Sequence, residues 1–581
     1  MNHTGRFDVA ILGSGLAGSI LAAILARNGL RTLLIEQTVH PRFAIGESTV
    51  PETTFQFRVL AYRYGIPELA NLSTYNGVRR HIGATSGVKR NFSFVYHRPG
   101  RPQNPLETTQ FPTLAPPFGP DVHLFRQDVD GYLLTVAASY GAIIRQRTDV
   151  IDVKIDGSGV HMRTRAGELF EAEYVVDAGG IKAPIAQMFG LRENPTRMKT
   201  NSRAMYTHMI GVTPFDACMA PSPKHGLPSP LSQGTLHHLF DRGWMWVIPF
   251  NNHPSSTNRL CSVGLCLDPR HHPNPGVGPE EEFRQFVSRY PALARQFEKA
   301  VAIREWTAAD RLQFSSTSAV GDRYCLIPHA WGFVDPLFSS GLGIALGAVN
   351  MLAHRLIRSK QDGDWSTERF APIDTRVKRN FAYFDKLVAG SYISFRDFDL
   401  WNAWFRVWMI GSFYGGSGVV EILGRWFSTN DTSVFEACEQ APYNGIQTCE
   451  LPEFAALLDA CAADLDAVDA GQLGTQEAAG RIYQRIDQSQ MWPAVWGGKH
   501  PRPEVRHPGP FTIDRLMRNM MWIQRSAPEF LSRLYRSFRP GALLSFIAKD
   551  VRSELEHSGG ALAWLARDYV RANNRDWKRF V

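Results

Sequence analysis

The sequence has little cysteine: seven residues in 581, an odd number with no C-x-x-C pair. That pattern excludes a zinc ribbon and a disulfide framework, and the thiols read as core residues in a reducing compartment. No metal site is expected. Long apolar runs are also missing, since none reaches the roughly 18 to 20 residues of a membrane span. The stretch from Phe7 to Leu30 is apolar like a signal peptide, but Asp8, its glycine pattern and the strand that follows fit a folded domain better. A cytoplasmic protein with no membrane partner is the expectation. Basic clusters are scarce as well. Lys plus Arg exceed Asp plus Glu by 63 to 55, giving +8 and a pI near 9.1, yet no run of five basic residues occurs. The densest region, Arg502 to Lys578, reads as a solvated basic face, and no nucleic-acid partner is expected. Repeats and low-complexity tracts are absent.

What is present is a globular composition, 44% apolar and 20% charged, with 11% aromatics including 35 Phe and 14 Trp. Such rings pack cores and also line pockets for flat ligands, so composition leaves both uses open. At about 150 residues per domain the length allows up to four domains. Phe7 to Leu12 reads as a strand, Leu16 to Asn28 as a helix and Arg31 to Ile35 as a strand, so the chain opens as βαβ over residues 7–36. Seven prolines between Arg98 and Asp121 exclude a helix or central strand there and suggest a binding loop or lid. His123 to Tyr140 reads as helix, and Asp149 to Asp177 as a β-meander. Ser202 to Leu267 reads as an antiparallel sheet that walls a pocket. From about Asp374 helix signals dominate, broken at Gly411 to Gly418 and again at Pro493 to Pro510. The expected division is a core over 1–370 and a helical region over 371–581 that covers the substrate pocket.

The first chemical signal is Gly13-Ser14-Gly15-Leu16-Ala17-Gly18, set between a strand and a helix, with Glu36 ending the next strand. Glycines permit a tight turn and close approach to a pyrophosphate, the helix N-terminus adds partial positive charge, and Glu36 is placed to accept from a ribose hydroxyl. With its full βαβ context this is a dinucleotide site. No second fingerprint sits in such a context, because Gly415-Gly416-Ser417-Gly418 lies among helix signals and reads as a helix break.

Four further segments carry a family resemblance. His40-Pro41-Arg42-Phe43-Ala44-Ile45-Gly46-Glu47-Ser48-Thr49 resembles the loop that wraps the flavin in FAD-dependent halogenases and related monooxygenases, and Arg126 resembles the FAD-contacting arginine of that superfamily. The alternative for Arg126 is a surface ion pair with Asp128 or Asp130. Trp244-Met245-Trp246-Val247-Ile248-Pro249 matches the W-x-W-x-I-P motif of flavin-dependent halogenases. Two tryptophans at period two are more often a packed strand face, but beside the flavin motifs they resemble the box that shields substrate from the flavin hydroperoxide. The segment Gly332 to Leu342, with Asp335-Pro336-Leu337-Phe338-Ser339-Ser340-Gly341-Leu342, resembles the stretch against the isoalloxazine that holds the halide. A Ser-Ser-Gly turn at a helix start offers donors to an anion. Lys89, in Gly87 to His97, resembles the lysine that receives hypohalous acid. A lysine before an aromatic strand is otherwise usually a surface side chain.

The resemblance covers roughly residues 5 to 440, with the motifs in family order, and is strongest to halogenases of phloroglucinol-type phenols. It implies an α/β (α+β) fold: a Rossmann-like FAD domain of the aromatic-hydroxylase type, a substrate-side sheet inserted at about 202–267, and a helical C-terminal region. It implies a catalytic Lys89, FAD contacts from Gly13, Gly15, Leu16, Ala17, Gly18, Glu36, Arg42, Ile45, Gly46, Ser48, Arg126, Asp335, Gly341 and Leu342, and a halide at Ser340 and Gly341. Trp244, Trp246, Pro249 and Phe338 line a tunnel in this reading, and Phe92, Phe94, Trp401 and Trp404 a substrate pocket. The implied activity is FADH2-dependent chlorination or bromination of a phenol in natural-product biosynthesis, using O2, chloride or bromide, through a flavin C4a-hydroperoxide and hypohalous acid. Reduced flavin comes from a separate NADH-dependent reductase, and a carrier protein is a further potential partner. Tryptophan halogenases carry a glutamate where this chain has Phe338, which argues against an indole. The usual Gly-Asp pair falls at Pro328-His329, so that contact is not carried over. An aromatic hydroxylase shares the fold, and a flavin-binding module that docks a carrier protein is the alternative from another class.

Overall fold

A computed structural model of the chain describes residues 5–114, 118–219, 225–440, 450–493, 496, 500–509, 512–534 and isolated positions between 541 and 552. Pro116 and Pro117 of the proline-rich stretch and most of the basic C-terminal segment lie outside these residues. One sheet has a parallel centre in the order Tyr324–Leu326, Leu169–Asp177, Phe7–Leu12, Thr32–Ile35 and Ile143–Arg145. Its inner strands are short apolar runs buried on both faces, as a helix-covered parallel sheet requires. The expected meander is present: Gly159–Thr164 pairs antiparallel with Val150–Asp156 on one side and with Leu169–Asp177 on the other. The Leu16–Arg27 helix packs with the Arg126–Ser139 and Gly341–Asp362 helices.

The second sheet runs Val301–Ala302, Arg203–Ile210, Cys261–Leu267, Gly243–Pro249, Thr235–Phe240, Asn91–Tyr96 and Thr108–Pro112. The expected 202–267 region supplies only its middle, because Asn91–Tyr96 joins in parallel with Thr235–Phe240 and brings its own antiparallel neighbour. That neighbour, Thr108–Pro112, is a strand inside the stretch read as a loop. It sits at the sheet edge, where a missing proline N–H costs no ladder bond. A separate two-stranded ribbon pairs Gly87–Lys89 with Asp121–His123.

Helices dominate from Gly341, earlier than Asp374, and Thr367–Ser394 crosses the expected division at 370. The expected break at Gly411 to Gly418 is not there: Phe398–Thr429 is one helix through all of it. The stretch is buried against the Pro51–Tyr64 helix, and a Cβ at Gly416 would lie 3.8 Å from Glu52. Packing outweighs a propensity loss of about 1 kcal/mol per glycine. Among the described residues the larger apolar core extends from Phe7 to Leu531, and a second, smaller one packs residues such as Met205, Leu236, Met245 and Val263 of the second sheet against Phe283, Phe286 and Leu293. The described cysteines, Cys218, Cys261, Cys266, Cys325 and Cys461, are buried free thiols. Among the described residues no helix is long and apolar enough to cross a membrane.

Candidate active site

The nucleotide end is built by the fingerprint. Gly13 has φ +107°, and a Cβ there would lie 2.5 Å from the Ala178 carbonyl oxygen, while one at Gly18 would lie 2.1 Å from that of Gly13. Gly15 is different: its Cβ direction meets only the Arg42 guanidinium at 3.6 Å, so the space before the helix N-terminus is open on that side. Leu16 and Ala17 open the helix, whose first turn carries no acid. This cradle and the free helix N-terminus fit the pyrophosphate of FAD. Glu36 accepts from Ser14 N (3.0 Å) and Oγ (2.9 Å) and from Thr38. Burial pushes its carboxyl up, but the Thr38 and Ser14 hydrogen bonds and the Arg42 charge outweigh it and hold the group down to about 2.

Beyond the cradle lies a cavity of about 350 Å3. Ile45, Gly46, Ser48, Arg126, Trp244, Trp246, Asp335, Gly341 and Leu342 all line it. Arg126 makes one of the ion pairs weighed for it while lining the cavity. It is paired with Asp130 through two nitrogens (2.7 and 2.9 Å), and it also donates to the Ile45 carbonyl at 2.7 Å. The indoles of Trp244 and Trp246 are 5.7 Å apart. Gly264, on the next strand, makes room for the second, since a Cβ there would lie 2.0 Å from the Trp246 ring. Trp244 Nε1 donates to Tyr392 Oη (3.1 Å), and Tyr392 donates to Asp335 (3.0 Å). Burial pushes the Asp335 carboxyl up to about 7. Ser340 is the residue before the 22-residue helix that Gly341 opens. Ser339, before it, is left-handed at φ +52°. His329, on the segment that departs from the superfamily pattern, fills the space beside Gly341, where a Cβ would meet its Nε2 at 2.7 Å.

At the other end stands Lys89, fully buried. Asn252 holds its strand by bonding both polar groups of Val88. Lys89 Nζ donates to Ser48 Oγ at 2.8 Å and to the Thr49 carbonyl, and it lies 4.4 Å from the Phe92 ring centre. Burial lowers its pKa, and Asp121 opposite it on the ribbon opposes that shift. Asp121 in turn is raised by burial, against Lys89 and a hydrogen bond from Thr54 (3.0 Å). Ser48, Thr235 and His237 form the cavity wall next to this amine.

Phe338 stacks on Trp408 at 5.1 Å, and Trp408 on Phe92 at 5.3 Å. Phe94 meets Trp401 at 4.8 Å. Trp404 is placed elsewhere: its Nε1 donates to Leu387 O and Ser391 Oγ, and its ring lies against Gly390 of the preceding helix. Helical spacing put it on the same broad stripe as Trp401, but the neighbouring helix claims that side. Phe92, Phe94 and Phe338 lie behind the cavity lining, and Pro249 contributes its carbonyl oxygen to His123. Residues that pattern reading missed include Asp121, Thr235, His237 and Tyr392. The first three sit on strands whose pairing is non-local, so no short motif marks them.

A family model described as tryptophan halogenase matches residues 8–74 and 102–404. The chain is 42% identical to monodechloroaminopyrrolnitrin halogenase PrnC of Pseudomonas fluorescens over 92% of this chain and 94% of that one. It is 41% identical to tetracycline 7-halogenase of Kitasatospora aureofaciens over 89% and 92% of the respective chains. The crystal structure of halogenase PltM in complex with phloroglucinol and FAD matches it with a TM-score of 0.80 at 34% identity, covering 83% of this chain and 96% of that one. With the FAD cradle, the tryptophan-lined cavity and the buried lysine bonded to Ser48 of its wall, these similarities establish that the chain belongs to the flavin-dependent halogenases, enzymes that use FAD, oxygen and a halide.

Proposed function

We propose that this halogenase chlorinates or brominates an electron-rich phenolic ring in natural-product biosynthesis, with Lys89 as its catalytic residue. The observation that carries the reading is a buried amine hydrogen-bonded to a hydroxyl, Ser48, that lines the same cavity as Gly341. FAD, when bound and reduced in the presence of oxygen and halide, supplies hypohalous acid. Gly13, Gly15, Leu16, Ala17, Gly18, Glu36 and Arg42 hold its nucleotide half, and Ile45, Gly46, Ser48, Arg126, Asp335, Gly341 and Leu342 its ring end. Ser340 and Gly341 offer donors to the halide. Trp244, Trp246, Pro249 and Phe338 keep the aromatic substrate from the flavin side.

The Lys89 ammonium donates a hydrogen bond to the oxygen of hypohalous acid. As the bond from halogen to ring carbon forms and the halogen–oxygen bond breaks, that proton passes to the oxygen and water leaves. The amine then takes the proton from the halogenated ring carbon, which restores the aromatic ring and the ammonium. Phe338 leaves no carboxylate at the place where tryptophan halogenases have one, and a phenol compensates by donating oxygen electron density into its own ring. The phloroglucinol in the PltM complex supports a phenolic acceptor. The small molecules in the names of PrnC and tetracycline 7-halogenase support a free substrate over a carrier-bound one. A separate NADH-dependent reductase delivers reduced flavin, as the single glycine fingerprint suggests.

The test supplies purified protein with FAD, a flavin reductase, NADH, oxygen and chloride or bromide, and screens a phenol panel by mass spectrometry. Halide-dependent mass gain with its isotope doublet is expected. Simple addition of oxygen would instead mark a hydroxylase, and activity only on a carrier-bound ring would exclude the free substrate.

A further inference from the structure

The hydrogen bonding of Lys89 does not stop at Ser48. Ser48 Oγ lies 2.7 Å from Thr235 Oγ1, which lies 2.9 Å from His123 Nε2, and His123 Nδ1 lies 2.9 Å from the Pro249 carbonyl oxygen. All four side chains are buried, and the Ser48 and His123 backbones are bridged directly. The direction of this chain follows from its far end. A carbonyl oxygen only accepts, so Nδ1 carries the ring hydrogen. Burial, reinforced by the nearby Lys89 charge, pushes the His123 pKa down to about 3 and keeps the ring neutral, which leaves Nε2 a bare acceptor. Thr235 therefore donates to Nε2. Its oxygen accepts from Ser48, and the Ser48 oxygen accepts from Lys89. Each hydroxyl has one hydrogen, so only this orientation satisfies all four contacts.

We infer that Ser48, Thr235 and His123 are positioning residues, a one-way hydrogen-bond chain set by His123 that aims Lys89 Nζ at the cavity. The inference rests on the proposed catalytic role of Lys89. Ser48 Oγ and the Thr49 carbonyl take two N–H bonds of the ammonium, leaving the third for the oxygen of hypohalous acid. A hydroxyl that itself donates is a stronger acceptor, so the chain favours the charged amine against its burial. The other titratable and charged groups that face this cluster are Asp121 from the ribbon, Arg58 from the Pro51–Tyr64 helix and His237 from the same strand as Thr235. Substitution at Thr235 leaves all of them in place.

The test uses flavin-free protein carrying 15N-lysine, with the Lys89 amine resonance identified by its loss in Lys89→Ala, alongside the pH profile of halogenation by the loaded enzyme. Thr235→Val is expected to lower the Lys89 titration midpoint by about half a unit or more. It should also reduce kcat about tenfold with KM unchanged. Thr235→Ser and His123→Gln, which keep the donor and acceptor pattern, should retain wild-type midpoints. If Thr235→Val does not fold, Ser48→Ala cuts the chain at its first link and is read in the same way. Coincident midpoints in wild type and the interrupted variant overturn the chain. Wild-type turnover by Lys89→Ala overturns the catalytic role itself, and the midpoints of the other variants still decide whether the chain exists.

Discussion

The two ends of the cavity are built by opposite means. At the nucleotide end six consecutive residues, Gly13 to Gly18, make the turn, and Glu36 follows on the adjacent strand. At the lysine end the polar contacts join residues 48, 89, 123, 235 and 249, drawn from five separate segments. The first end tolerates few backbone changes because Gly13 and Gly18 meet backbone atoms. The second depends on hydroxyl and imidazole orientation, which small isosteric substitutions alter without moving the backbone. A local motif thus holds the cofactor, and a non-local network sets the reacting amine.

The sharpest break between the ends is Lys89→Ala, expected to reduce halogenation by about 10² to 10⁴-fold while FAD affinity, followed by flavin fluorescence titration, stays at the wild-type value. Gly18→Ala should do the reverse. Its Cβ would lie 2.1 Å from the Gly13 oxygen, so FAD binding should weaken about tenfold or more, and added FAD should recover turnover wherever the protein folds. Gly264→Ala tests the wall between the two ends. A Cβ 2.0 Å from the Trp246 ring should cost about 1 to 3 kcal/mol by overpacking, read as a lower midpoint in denaturant.

Lines of sequence reading fared differently for physical reasons. The βαβ opening and the meander were legible because strand and helix periods are local. The helix through Gly411 to Gly418 was not, because glycine propensity argues against it and only contact with the Pro51–Tyr64 helix offsets that loss. Thr108–Pro112 was hidden by Pro112 and the prolines around it, and an edge strand accommodates the one it contains. Trp401 and Trp404 looked equivalent on one helix until the preceding helix took the second.

That last difference gives a smaller test. Trp404→Phe removes the hydrogen bonds to Leu387 and Ser391 and should cost about 1 kcal/mol of stability with product distribution unchanged, whereas Trp401→Phe should alter turnover across the phenol panel. The smallest effect concerns pH. The folded Asp335 carboxyl, raised to about 7 from an ordinary 3.8, binds its proton more tightly than the unfolded chain does. Stability should therefore be fullest below about pH 4 for this group and decline as pH rises toward 7, and Asp335→Asn should flatten that slope in thermal melts.

The sequence by itself determined the dinucleotide turn, the tryptophan pair, the Ser-Ser-Gly helix start and a lysine just before an aromatic strand, because each is a short run whose chemistry depends on neighbours in the chain. Tertiary structure decided what surrounds that lysine. Asp121 stands opposite it across the ribbon, Ser48 and the Thr49 carbonyl take its hydrogen bonds, and Thr235 and His123 extend the chain beyond Ser48. Those choices depend on strand register and burial, which bring together residues as far apart as 48 and 235 and which no local pattern encodes.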